Sequence, residues 1–150
     1  MDLTYNLMQT IPEDSFNGLD NLLSLKVTHN AIKRLGAASL RGLQLLHTLD
    51  LSHNELDRVA PSAMANLTRL EDLILFNNSL AEIPEAVGRL VNLRSVDVGM
   101  NGITAINKNV FATLTGLTGL RLSENYLTRV DVDTFAKLSN LRHLNLVGNR

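Results

Sequence analysis

Histidine is the residue type in this sequence whose spacing first suggests chemistry. His29 and His53 lie 24 residues apart, and each directly precedes an asparagine. Imidazole titrates near physiological pH, so two such histidines on neighbouring elements could sense pH. A zinc site would require more ligands than this pair supplies, and His47 and His143 lie elsewhere in the pattern. The alternative is a pair of solvated histidines at the edge of a sheet.

No motif of a catalytic or cofactor site accompanies the histidines. The sequence contains no G-x-G-x-x-G, G-x-x-x-x-G-K-[ST], H-E-x-x-H or G-x-S-x-G segment. Cysteine is absent, which excludes disulfide bonds and cysteine-ligated metal within the chain but leaves the cellular compartment open. We therefore expect no enzymatic activity, no cofactor and no metal ion.

The balance of charge bears on the class of partner. The formal net charge is −1, whereas a nucleic-acid-binding or polybasic membrane-binding surface needs a concentrated positive field. No apolar run approaches the ~18 residues of a membrane-spanning helix. The sequence therefore predicts no nucleic-acid partner and no membrane span within this segment.

Two N-x-[ST] sequons identify candidate sites of N-glycosylation. They are Asn66-Leu-Thr68 and Asn77-Asn-Ser79. Short sequons arise often by chance, so each alone is a weak signal. Both acceptors are expected to face solvent, and together they favour the extracellular side.

The positions of all these residues follow from a repeat that runs through the chain. Residues 46–56 read L-x-x-L-x-L-x-x-N-x-L, which is the pattern of a leucine-rich repeat. The asparagine of the pattern recurs with successive separations of 24, 24, 24, 23, 24 and 24 residues. The recurring asparagines are Asn6, Asn30, Asn54, Asn78, Asn101, Asn125 and Asn149.

This periodicity predicts an α/β fold, a leucine-rich repeat solenoid in the shape of a horseshoe. Alternating apolar residues before each asparagine indicate a short strand, and consecutive repeats place these strands in a concave parallel β-sheet. The rest of each repeat returns along a mostly irregular convex side. A single array then occupies residues 1–150, with repeats at 1–21 (partial), 22–45, 46–69, 70–92, 93–116, 117–140 and 141–150 (partial).

The asparagines themselves are expected to form a structural ladder. Where each strand turns away, buried backbone groups would lack partners, at a cost of roughly 1–3 kcal/mol each. A side-chain amide carries both a donor and an acceptor and can serve two adjacent turns.

Outward-facing positions of the strands supply the candidate partner-binding residues. Solenoids usually bind through their concave surface, where charged residues prevail in this chain. Ile74 and Phe76 interrupt that polar trend, with Met100 on the next strand, and an exposed apolar cluster of this kind marks an interaction site. Asp97 and Arg121 are the neighbouring charged candidates. The alternative is local packing of the apolar side chains.

Neither end of the chain carries a polar cap, which the ends of a solenoid need to remain soluble. Met1 stands at a core position, and the last repeat stops at Arg150. We therefore expect the chain to be a slice of a longer ectodomain.

The 24-residue unit and its phenylalanine column at Phe16, Phe111 and Phe135 resemble the extracellular repeats of animal receptors. Leu93-Arg-Ser-Val-Asp-Val-Gly-Met-Asn-Gly-Ile103 and Leu117-Thr-Gly-Leu-Arg-Leu-Ser-Glu-Asn125 are similar to segments of insect long-type Toll receptors. The resemblance implies a glycosylated, single-pass receptor on the extracellular face of the plasma membrane. It also implies a Spätzle-type cytokine or another repeat-bearing surface protein as ligand, with roles in innate immunity or development.

Two other classes of protein are consistent with the same sequence. Ile83-Pro-Glu-Ala-Val-Gly-Arg-Leu90 resembles the repeats of cytosolic scaffolds, which keeps a cytoplasmic scaffold or the recognition arm of a signalling protein as an alternative. An extracellular adhesion or matrix protein would share the same repeats. The leading hypothesis is a non-enzymatic protein-recognition segment of a Toll-like receptor ectodomain, with dimerisation as a further possibility.

Overall fold

The computed structural model describes all residues from Met1 to Arg150. Its elements are short, and no α-helix occurs among them. The strands are β1 (Ser24–Lys26), β2 (Arg34–Leu35), β3 (Thr48–Asp50), β4 (Arg58–Val59), β5 (Asp72–Ile74), β6 (Ser95–Asp97), β7 (Gly119–Arg121) and β8 (His143–Asn145). Two 3₁₀ helices, Glu85–Arg89 and Lys108–Phe111, lie on the return side of the fourth and fifth repeats.

Six of the strands form one parallel sheet in the order β1-β3-β5-β6-β7-β8. The register places equivalent residues opposite each other, so that Leu25, Leu49 and Leu73 are aligned across β1, β3 and β5. An isolated parallel bridge between Asp2 and Lys26 extends the same pattern to the first repeat. The predicted horseshoe-type solenoid with a concave parallel sheet is therefore confirmed.

The core lies between the sheet and the return segments as one continuous apolar cluster. Strand leucines such as Leu49 and Leu73 are fully buried, because alternation directs them away from the concave surface. On the return side Phe16 and Phe111 are buried, and the rings of Phe111 and Phe135 lie 5.9 Å apart. Each repeat thus completes the burial of its neighbour, as expected of a solenoid.

The asparagine side chains link successive repeats through hydrogen bonds. Asn54 Nδ2 donates to the carbonyl of Val27 in the previous repeat at 2.8 Å and to that of Leu51 in its own repeat at 3.1 Å. Asn54 Oδ1 accepts from the N–H of Ile32 at 3.1 Å. Equivalent bonds on both sides of the amide occur at Asn30, Asn78, Asn101, Asn125 and Asn149.

The residue before each of these asparagines adopts a left-handed backbone conformation. Its φ lies between 49° and 55° in six consecutive repeats and reaches 74° at Gly148. The six non-glycine residues are Tyr5, His29, His53, Asn77, Met100 and Glu124. This conformation is uncommon for such residues and costs of the order of 1 kcal/mol each. The sharp turn that it produces allows the next residue, the asparagine, to point into the array.

Replacing Asn54 by leucine tests the amide's contribution to stability. The substitution leaves the Ile32 N–H and the Val27 and Leu51 carbonyls without their partner, so we expect a loss of about 2–4 kcal/mol in the free energy of unfolding. Urea denaturation monitored by circular dichroism measures this loss. Asn21→Leu is the matched control, because Asn21 is exposed. Equal stability of the two variants would contradict the structural role of Asn54.

Candidate functional site

The left-handed turn places side chains from neighbouring repeats side by side at one edge of the concave sheet. The rings of His29 and His53 are stacked, with centroids 4.2 Å apart and an interplanar angle of 7°. Tyr5 stacks on the other face of His29 at 4.3 Å and 16°. The repeat spacing predicts that the histidines are neighbours. The stack itself depends on the left-handed backbone conformation of these residues, which no glycine in the sequence indicates.

This stack continues into the fourth repeat through two different contacts. Phe76 meets His53 edge-on, with centroids 5.5 Å apart and an interplanar angle of 70°. Asn77 Nδ2 lies 2.8 Å from His53 Nδ1, which accepts the hydrogen bond in the tautomer that carries its proton on Nε2. The histidine pair is thus joined to the apolar residues that the sequence singled out.

The structure brings together no group of three or more histidine, cysteine, aspartate or glutamate residues with the geometry of a metal site. His47 lies away from the stack, and its Nδ1 is 2.8 Å from the carbonyl of Leu45. His143 belongs to β8 at the other end of the sheet.

Ile74 and Phe76 lie where the sequence pattern places them, on the concave side of the fourth repeat. Ile74 is opposite Asp50 of β3 and Asp97 of β6 in the parallel register. Both apolar side chains are half-buried. A partner would therefore find an apolar surface flanked by carboxylates rather than a deep pocket.

A glycine in the fifth repeat makes room for Phe76. Gly99 is the residue aligned with Phe76, and a Cβ added to it would lie 3.2 Å from Phe76 Cδ2 and 3.0 Å from Ser123 Oγ. Both separations are shorter than ordinary van der Waals contact, so any larger residue at this position would displace the phenyl ring or Ser123. This role was not predicted from the sequence. It could have been, because Phe76 is the largest residue at this position of the repeats and Gly99, in the next repeat, is the smallest.

Met100 differs in position from what the strand pattern suggested. It is aligned with Asn77 rather than with Phe76, because Ile74 pairs with Asp97 in the register. Its φ of 49° makes it part of the left-handed edge column, and 43% of the residue is exposed. Met100 thus extends the edge defined by the histidines. We use the name concave apolar patch for Ile74, Phe76 and Met100.

The charged candidates at this surface form one cross-strand pair. Arg121 Nη1 lies 3.9 Å from Asp97 Oδ2, with 58% of the arginine side chain and 18% of the aspartate side chain exposed. Asp97 Oδ1 also accepts from the N–H of Gly99 at 3.0 Å. A pair this long, with an exposed arginine, contributes little to stability, so Arg121 can exchange partners at low cost.

The remaining aspartates of the same column bond within their own repeats. Asp50 Oδ1 accepts from the N–H and hydroxyl of Ser52 at 2.9 and 2.6 Å. Hydrogen bonds from the Thr4 hydroxyl and the Thr4 N–H lower the pKa of the Asp2 carboxyl below its ordinary value. Both carboxylates thus bond within their own repeats, and neither lies within ion-pair distance of Lys26 on the strand between them.

The two sequons occupy different environments. Asn66 is exposed on the return side. Asn77 is half-buried, and its amide nitrogen, the atom to which a glycan would be attached, is the one bonded to His53. Both acceptors were expected to face solvent, and Asn77 does so only in part.

None of the helices in this structure has the length and apolar character needed to cross a membrane. The family described as Leucine rich repeat matches the chain over residues 1–56, 20–80 and 91–150. The chain belongs to the leucine-rich repeat family.

Solved structures of similar leucine-rich repeat proteins include two receptors. TLR13, in a crystal structure of its complex with ssRNA13, is 30% identical, with a TM-score of 0.89 over 97% of this chain. Toll, in the Toll–Spatzle complex described for Drosophila development and innate immunity, is 28% identical, with a TM-score of 0.87 over 95% of this chain. The resemblance to Toll receptor ectodomains is confirmed. No curated protein sequence matches the chain.

The chain spans 22% of the length of the TLR13 chain and 20% of that of the Toll chain. The expectation that nucleic acid is not a partner receives no support from TLR13, whose structure is a complex with ssRNA.

Glycan occupancy at the two sequons should follow their exposure. When the chain is secreted from insect cells, we expect a glycan at Asn66 and low occupancy at Asn77, because His53 engages the acceptor nitrogen. Mass spectrometry of the tryptic glycopeptides measures both. His53→Ala should raise occupancy at Asn77, and Ser79→Ala serves as the control that removes this sequon without changing Asn77. Full occupancy at Asn77 in the unaltered chain would contradict the hydrogen bond.

Proposed function

We propose that this chain is a non-enzymatic protein-recognition segment of a Toll-type receptor ectodomain. The concave apolar patch is the observation that carries the proposal. It combines three apolar residues on a concave surface where charged and polar residues prevail, and such clusters mark protein interfaces more often than scattered apolar residues do.

The packing of Phe76 supports a role in recognition. Its ring is fixed between His53 on one side and Gly99 on the other, so little side-chain entropy is lost when a partner covers it. Residues that anchor an interface are typically aromatic and lie in well-packed surroundings. The Arg121–Asp97 pair at the border of the patch supplies polar groups that a partner can engage as a rim.

The comparisons support a protein as the class of partner. Toll is present in its solved structure as a complex with Spatzle. The column through the centre of the sheet carries both signs of charge, with Lys26 and Arg121 as its cations and three aspartates among the other residues. A surface that binds single-stranded nucleic acid combines a positive groove with exposed aromatic faces. His29 is instead stacked between Tyr5 and His53, and Phe76 contacts His53 in a T-shaped arrangement, so we favour protein over RNA.

We further propose that the segment faces the extracellular space or the lumen of an endosome. The likeness to Toll and TLR13 supports this location, and so does the exposed sequon at Asn66. A cytosolic scaffold would carry no glycan there. Glycopeptide analysis of the protein from the cells that naturally produce it, rather than of a chain directed into secretion, therefore tests the compartment.

Phe76→Ala tests the recognition surface. We expect the dissociation constant for a bound protein partner to rise about 10- to 30-fold, in keeping with the loss of an aromatic anchor. Surface plasmon resonance with purified Spatzle as the first probe measures the effect, and ssRNA is the second probe. Circular dichroism checks that the variant remains folded.

Val132→Ala is the matched control for this measurement. Val132 is apolar and 83% exposed, but it lies on the return side. Its replacement should leave binding unchanged. Equal affinity of the Phe76→Ala variant and the unaltered chain would refute the assignment of the patch, and selective binding of ssRNA would replace protein by nucleic acid as the partner.

A further inference from the structure

Two asparagines in the chain are followed by glycine, and the structure holds them in opposite ways. Asn17-Gly18 lies on the return side of the first repeat, and Asn101-Gly102 follows strand β6. Asparagine is a chemically labile residue, and a following glycine favours its spontaneous deamidation because glycine has no side chain to hinder the reacting backbone nitrogen. Since both pairs have the same two residues, any difference in their reactivity must come from the fold.

Deamidation consumes only water and releases ammonia. The glycine nitrogen loses its proton and bonds to Cγ of the asparagine, the side-chain nitrogen leaves as ammonia, and a cyclic imide forms. Water then opens the imide at one of its two carbonyls. Opening at Cγ gives aspartate, whereas opening at the main-chain carbonyl gives isoaspartate, in which the backbone runs through the former side chain. The side-chain amide and the glycine N–H must therefore both be free to approach each other.

The Asn101-Gly102 pair meets neither of these requirements. Asn101 is a buried member of the asparagine ladder. Its Nδ2 donates to the carbonyls of Leu75 and Val98 at 3.1 and 3.0 Å, and its Oδ1 accepts from the Leu80 N–H at 3.0 Å. The nitrogen that would attack is also engaged, because the Gly102 N–H donates to the Leu80 carbonyl at 2.8 Å. Reaction at this pair therefore requires local opening of the array.

The Asn17-Gly18 pair meets both requirements. Both residues are exposed, and neither the side-chain amide of Asn17 nor the N–H of Gly18 makes a hydrogen bond within the chain. A Cβ added to Gly18 would meet no atom within 4 Å, so the space around the reacting nitrogen is open. The turn itself is held by the Leu19 N–H, which donates to the Phe16 carbonyl at 3.1 Å. No opening of the fold has to precede the reaction here.

The exposure of Asn17 is a property of its position in the repeat. Counted from the ladder asparagines, the same position in later repeats is held by Arg41, Ala65 and Ala112. All three are exposed although repeats flank each of them on both sides. A neighbouring repeat therefore does not cover this position.

We propose that Asn17 is a site of spontaneous deamidation, and that the asparagine ladder protects Asn101 from the same reaction. The modification needs no enzyme, because the fold leaves the amide and the attacking nitrogen of Asn17-Gly18 unengaged. It converts a neutral side chain on the return side into a carboxylate or into an isoaspartyl linkage. The site lies outside the concave apolar patch and does not depend on the proposed recognition function.

The isoaspartyl product alters a contact between the first two repeats. Gly42 of the second repeat packs directly on this turn, since a Cβ added to it would lie 2.6 Å from the Phe16 carbonyl oxygen and 3.2 Å from Asn17 Cα. Isoaspartate adds a carbon atom to the backbone of the same turn, so the backbone that faces Gly42 must shift. Aspartate leaves the backbone as it was and adds only an exposed negative charge. The two products therefore differ in their effect on Gly42.

Storage of the folded chain at neutral and at mildly alkaline pH tests the proposal. Tryptic peptides 1–26 and 95–108 contain Asn17 and Asn101 respectively, and tandem mass spectrometry measures the gain in mass when an amide becomes a carboxyl group. We expect Asn17 to react at least about tenfold faster than Asn101, because several hydrogen bonds must break before Asn101 can react. The rate at Asn17 should rise with pH, because the Gly18 nitrogen attacks only after losing its proton.

Unfolding and a second asparagine provide the controls. In concentrated urea both pairs lose their folded surroundings, so the rates at Asn17 and Asn101 should become similar. Asn21 is exposed like Asn17 but is followed by leucine, so it should react more slowly than Asn17 in the folded chain. The Asn17→Gln variant should show no reaction at this position on the same timescale, because the longer side chain forms the cyclic imide much more slowly.

NMR of the stored chain and of the Asn17→Asp variant separates the two products. The Gly42 amide resonance should move in the isoaspartyl form and stay close to its original position in Asn17→Asp. Equal rates at Asn17 and Asn101 in the folded chain, or a rate at Asn17 no higher than at Asn21, overturn the proposed site. An unmoved Gly42 resonance in the isoaspartyl form overturns the effect on the contact between repeats. None of these measurements involves a binding partner, so the recognition function can fail while this site stands, and the reverse.

Discussion

The structure depends on one interaction, the hydrogen bonds that each ladder asparagine makes to two adjacent repeats. A strand of three residues has too few backbone bonds to fix its own ends, and the turn that follows buries carbonyl groups. The amide at Asn54 satisfies the Val27 and Leu51 carbonyls and the Ile32 N–H at once. The leucine core supplies most of the favourable burial, but the amides determine where each repeat turns.

The asparagine ladder requires a strained backbone conformation that also shapes the surface. Directing the asparagine inward requires a left-handed residue before it, and that residue must project from the edge of the sheet. Seven such residues form a column whose members are free to vary, because solvent or a partner covers them. The aromatic stack from Tyr5 to His53 and the exposed Met100 are two results of the same backbone constraint. An edge of aromatic and exposed apolar side chains thus arises from the requirements of folding.

The features that could be predicted from the sequence are those that follow from the repeat period. Spacing alone gives the parallel sheet, the burial of Leu49 and Leu73 and the proximity of His29 to His53, since each follows from placing equal positions side by side. The sequence placed Met100 on the concave side of the next strand, whereas the structure aligns it with Asn77 in the left-handed edge column. The engagement of Asn77 by His53 and the accommodation of Phe76 by Gly99 depend on side-chain contacts between repeats.

The amide bonds give the array a direction. Each asparagine bonds to a strand carbonyl and, through Oδ1, to an N–H of the repeat that precedes it, so every repeat is completed by the one that follows. Removal of repeats from the amino-terminal side removes carbonyl and N–H groups to which the next asparagine bonds. Every remaining repeat keeps the asparagine that follows it. Removal from the carboxyl-terminal side leaves carbonyls and N–H groups of the last remaining repeat unserved. Unfolding of the array is therefore directional, and it should advance more readily from the carboxyl-terminal side.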